Sequence, residues 1–166
     1  MVSVLDPVTR HAEATPDNIA IRGTDNHWTY RQLHDASLAF AGRIRDEGLS
    51  VGDRVLLAAP SVPEFIVAYM GIQAAGCVVV PINTMSAQPE VEYVLDDAEI
   101  SLAIAWHQLG PAVQDAGVRA ASGCGRSPKN RRRPIMLPQL WSTVWQQTPR
   151  RFSTPPAPPD ARRALS

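Results

Sequence analysis

Lysine is almost missing from this 166-residue chain: fifteen of its sixteen basic residues are arginine, and Lys129 stands alone. Cysteine is scarce too, with only Cys77 and Cys124. Two thiols so far apart make neither a disulfide framework nor a zinc site. Cys77, directly ahead of Val78, Val79 and Val80, reads as a small core residue. No basic region followed by an apolar run opens the chain, so no signal peptide is indicated and the expected location is the cytoplasm. Long apolar runs are lacking as well. Phe65 to Val80 is uncharged, but it is shorter than a membrane span and is punctuated by Gln73, Gly76 and the following Pro81.

What is present is unevenly spread. Residues 1–115 carry six basic residues (Arg10, Arg22, Arg31, Arg43, Arg45, Arg54) and fifteen acidic ones, a net charge of −9. Residues 116–166 carry ten basic residues and one acid, Asp160, a net charge of +9. Nine of the fifteen prolines lie between Pro111 and Pro159, and Pro155-Pro156-Ala157-Pro158-Pro159 can be neither helix nor central strand. Leu137, Leu140, Trp141, Val144 and Trp145 have partly helical spacing, with nothing around them to complete a core. The expectation is an α/β body over 1–115, large enough for one modest core, and a disordered Arg/Pro-rich tail over 116–166.

Along the body, Leu5 to Ala14 reads as a first helix. Ile19–Ile21 and Trp28–Tyr30 read as strands joined in a hairpin by the Gly23–Asn26 turn. Thr29 and Gln32 have capping-box spacing. Tyr30, Leu33, Ser37, Phe40, Ala41 and Ile44 then recur on one helical face, and Gly48 marks its end. A strand follows at Arg54–Ala58. Ser61 and Glu64 offer a second capping box for a helix over Val62–Ala75, which is apolar on nearly every side and so expected to be buried. Gly76 stops it. Val78–Val80 is expected to be an interior parallel strand, Pro89 or Glu90 to Asp97 a helix with Val91, Val94 and Leu95 inward, and Leu102–Ala105 a further strand. Strands alternating with helices predict a partial doubly wound parallel sheet with right-handed crossovers. Ligands of such sheets sit beyond the carboxyl ends of the strands, here Ala59-Pro60-Ser61 and Pro81-Ile82-Asn83, which as sequence are also ordinary connecting loops.

Several segments together resemble one family. They are His11 to Ile21 (HAEATPDNIAI), Trp28 to Leu33 (WTYRQL), Gly48 to Val55 (GLSVGDRV), Gly71 to Asn83 (GIQAAGCVVVPIN) and Glu92 to Ala98 (EYVLDDA). In this order they are similar to the N-terminal portion of the AMP-forming, adenylate-forming enzymes: acyl-CoA synthetases, peptide-synthetase adenylation domains and luciferases. The resemblance covers about residues 5–110. It implies a relative that activates a carboxylic acid with ATP and magnesium, releasing pyrophosphate, and passes the acyl group to a thiol such as coenzyme A. Asn83 leans toward the acyl-CoA ligases, since amino-acid-activating domains more often have Asp there. The matching segments serve such enzymes as scaffold. Tyr30 and Leu33 belong to the core and Gly76 to Pro81 position a strand, so no catalytic, cofactor-binding or metal-binding residue is carried over.

The chemistry needs further groups. Phosphates need a loop whose amides and hydroxyls cradle them. A lysine must offset charge developing at the α-phosphate, and a carboxylate must help hold magnesium. The sequence holds no Tyr-Gly-x-Thr-Glu and no Tyr-x-Thr-Gly-Asp stretch, and no C-terminal lysine motif. Ser122 to Lys129 has the end residues of the family's Ser-Gly-Thr-Thr-Gly-x-Pro-Lys-Gly loop. Cys124 and Gly125 stand in place of the threonines, Arg126 in place of a glycine and Asn130 in place of the last one. Gly71 to Gly76 has Walker-loop glycine spacing but runs on into Cys77 and Val78, favouring a helix end. His11, His27, His34 and His107 show no ligand spacing, and Asp96-Asp97 reads as a solvated helix end.

The expectation is an acyl-CoA ligase-like chain that holds the family's first α/β segment, ends in unrelated residues as a frameshift would leave it, and by itself is inactive, with no bound cofactor. Two alternatives stay open. One is a small interaction module whose Arg126, Lys129 and Arg131–Arg133 bind nucleic acid. The other is a self-sufficient nucleotide-binding fold.

Overall fold

The computed structural model describes residues 4–23 and 27–106. The expected disordered tail, Cys124, His107, the Ser122–Lys129 loop and the tip of the hairpin turn at 24–26 lie outside the described residues.

Helix α1 (Asp6–Ala14) leads into strands β1 (Ile19–Arg22) and β2 (His27–Thr29), which pair antiparallel as expected. Helix α2 (Tyr30–Asp46) begins where the sequence places its cap. The Gln32 amide donates to Thr29 Oγ1 at 3.3 Å, and the Thr29 amide donates to Gln32 Oε1 at 2.9 Å. Two otherwise orphaned amides are thereby satisfied. Leu33, Ser37, Phe40, Ala41 and Ile44 form the buried stripe.

Strand β3 (Arg54–Ala58), helix α3 (Pro63–Ala74), strand β4 (Val78–Pro81), helix α4 (Gln88–Asp97) and strand β5 (Leu102–Ala105) complete the α/β unit. The sheet is parallel with order β4-β3-β5, and Leu56 stands opposite Val80 on one side and Ala103 on the other. Side chains alternate across it. Val55, Leu57, Leu102 and Ile104 join the core shared with α2 and α3, while Leu56, Ala58, Ala103 and Ala105 pack with Val91 and Leu95 of α4. The two crossover helices thus cover opposite faces, the doubly wound arrangement. Phe40, Ile44, Leu56, Leu57 and Ile104 are fully buried, each worth about 1.5–3 kcal/mol relative to exposure.

Three details depart from the expected or add to it. Among the described residues strand β4 stands at the edge of the sheet, pairing only with β3, and Val78 is 49% exposed. An apolar run signals strand, but it does not count the strand's neighbours. Ser61 does not cap α3. The cap position falls on Val62, extended at φ −116° and ψ 159°, with no side-chain cap bond. Pro63 is the reason: its ring forces the residue before it out of the helical region, and as first helical residue it needs no amide partner. The third detail is Gly71, midway along α3. A Cβ there would stand 2.8 Å from Phe40 Cβ and 2.9 Å from the Ser37 carbonyl oxygen, so α2 and α3 touch backbone to side chain at this point.

At the start of the sheet, Arg54 binds the end of α4. Its Nε donates to the Ala98 carbonyl at 2.9 Å, and its Nη2 donates to the Glu99 carbonyl at 2.8 Å and to Glu99 Oε2 at 2.9 Å. The Arg54 carbonyl accepts from the Ser101 amide at 2.8 Å. Glu99 takes a left-handed conformation, φ 47°, to make the turn.

Candidate functional site

Because β3, β4 and β5 run parallel, their carboxyl ends lie at one end of the sheet. The loops Ala59–Ser61 and Pro81–Asn83 and the residue Trp106 follow those ends. Hydrogen bonds continue the ladder past the strands: the Ile82 amide donates to the Leu57 carbonyl at 3.1 Å and the Trp106 amide to the Ala58 carbonyl at 2.7 Å. Trp106 and Ala59 are buried, whereas Ser61 and Asn83 are exposed. Asn83 Oδ1 accepts from the Met85 amide at 2.9 Å, a side-chain turn that sets the path of the loop. Asp makes the same turn, so the contact itself is indifferent to the Asn/Asp distinction.

Glu64 stands in the first turn of α3, which leaves this end of the sheet. It is 4% exposed. Burial pushes its carboxyl above the ordinary carboxylate range, and a hydrogen bond from its own backbone opposes that only in part. This burial is not legible in the sequence. α3 is apolar on nearly every side, so a lone acid near its start reads as a cap or a solvated residue.

Among the described residues, the donors at these strand ends do not by themselves fit a nucleoside triphosphate with magnesium. They comprise the exposed Ser61 hydroxyl, the Asn83 side chain, whose Oδ1 accepts from the Met85 amide, and the buried Glu64. Among the described residues there is no lysine, and no group of three metal-binding side chains assembles.

The other residues singled out by sequence scatter. Gly71 lies inside α3 and Gly76 just past it at φ 86°, so the Walker-like spacing marks helix packing and a helix end. Cys77 is buried, and its thiol donates to the Ser50 carbonyl at 3.7 Å. Burial and the nearby Asp53 raise its pKa, with Arg45 opposing, which disfavours the thiolate. His34 pairs with Asp35 at 3.1 Å, and His27 is exposed on β2. Asp96 and Asp97 are exposed at the end of α4, where the Tyr93 hydroxyl donates to Asp97 Oδ1 at 3.3 Å.

His11 stacks on Tyr30 with ring centroids 4.6 Å apart. Both border an open cleft of ≈ 660 Å³ together with Thr15, Asp17, Asn18, Ile19 and Arg22. No strand of the parallel sheet contributes to it. All its lining residues except Tyr30 are exposed.

A family model described as AMP-binding enzyme matches residues 8–162. The long-chain-fatty-acid–CoA ligase of Bacillus subtilis (strain 168) is 33% identical over 104 residues, covering 63% of this chain and 19% of the ligase. Malformin synthetase mlfA of Aspergillus brasiliensis is 32% identical over 104 residues, covering 63% of this chain and 2% of the synthetase. Among solved structures, the N-terminal domain of FACL13 from Mycobacterium tuberculosis superposes with a TM-score of 0.71 at 26% identity, covering 87% of this chain and 36% of that one. The chain therefore spans well under half the length of each relative.

Proposed function

This chain belongs to the AMP-binding enzyme family, and from that premise we propose that it carries the first α/β scaffold of an acyl-CoA ligase-like adenylating domain and, as a 166-residue polypeptide, does not itself activate a carboxylic acid. The family comprises AMP-forming ligases of acyl and amino-acid substrates. The observation that carries the reading is coverage. The fold accounts for 36% of the Mycobacterium tuberculosis domain, and the residues it contributes are packing residues: the Thr29–Gln32 cap, the Gly71–Phe40 crossing, the Gly76 turn. The stretch that resembles the family's phosphate loop, Ser122–Asn130, lacks both threonines and two of its glycines. Fixed donors aimed at the developing charge are what accelerate adenylation, and that loop no longer offers them.

Asn83 supports an acyl rather than an aminoacyl substrate in the complete enzyme. Relatives at almost equal identity include both the long-chain-fatty-acid–CoA ligase and malformin synthetase, so the lean rests on that one residue.

ATP–pyrophosphate exchange tests the proposal. With fatty acids or amino acids the chain is expected to give no exchange above a no-enzyme blank. Exchange that disappears in Lys129→Ala would overturn it and make Ser122–Lys129 a working loop.

The second reading, nucleic-acid binding by residues 116–166, draws on ten basic residues against Asp160. It requires oligonucleotide affinity that falls steeply with salt. Salt-independent or undetectable binding removes it.

A further inference from the structure

No further inference is drawn: the strongest candidate, the half-exposed apolar outer face of β4 around Val78, is an unpartnered surface, and nothing in the structure shows what covers it.

Discussion

Gly71 and Phe40 hold α2 and α3 at a distance that admits no side chain between them: a Cβ on Gly71 would lie 2.8 Å from Phe40 Cβ and 2.9 Å from its Cδ1. Gly71→Ala is therefore expected to destabilise the fold by about 1–3 kcal/mol through overpacking, despite alanine's better helix propensity. Urea unfolding should show a lower midpoint at unchanged slope. An unmoved midpoint would mean that the helices shift apart without cost.

The Thr29–Gln32 box gives a second expectation. Thr29→Ala should cost about 1 kcal/mol, because an amide at the start of α2 loses its acceptor. Thr29→Ala and Gln32→Ala together should cost less or more than their sum, since the two bonds share one helix start. Strict additivity in the double-mutant cycle would show that the bonds act independently.

Glu64 makes stability depend on pH. Its folded pKa lies above its unfolded one, so the folded state holds the proton more tightly. Its contribution is complete below the unfolded carboxylate range and is lost as pH rises through the raised folded value. Glu64→Gln should be more stable than the parent at neutral pH and should lack that part of the decline. Parallel stability–pH curves for the two proteins would count against a buried, proton-holding carboxyl.

The break in composition near Asp115 can be tested on DNA. Translation beyond codon 115 in another frame is expected to yield a Ser/Thr/Gly-rich loop followed by lysine. The family match runs on to residue 162 in the frame as read. If neither other frame gives such a loop, that match is the better description of residues 116–162 and the frameshift account fails.

The legible parts of the fold were those written in local chemistry. Thr29 and Gln32 announced α2, the short run Arg54–Ala58 announced β3, and Gly76 announced the end of α3. What stayed hidden depended on neighbours distant in sequence. The spacing of Ser61 and Glu64 suggested a cap, but the ring of Pro63 decided where the helix could begin. Val78–Val80 looked interior because apolar residues report burial without reporting which sides are covered. The Walker-like spacing of Gly71 and Gly76 reads from sequence as a helix and its end, but the approach of Phe40 that requires a glycine at 71 is not legible there. At the strand ends, Ser61 and Asn83 were placed correctly by the parallel-sheet rule, while the buried acid beside them was not foreseen.

Arg54 has a consequence for how the chain comes together. It is the first residue of the middle strand, yet its side chain and carbonyl find their partners at Ala98, Glu99 and Ser101, 44 to 47 positions later. On a ribosome, β3 emerges first, acquires β4 on one flank, and must wait for the whole of α4 before the other flank and the guanidinium contacts can close. Loop closure over such a span is an entropic cost met before any reward. Between those two moments the central strand is half-dressed, with one row of backbone groups awaiting a neighbour. An exposed row of this kind is a surface on which a wrong strand can pair.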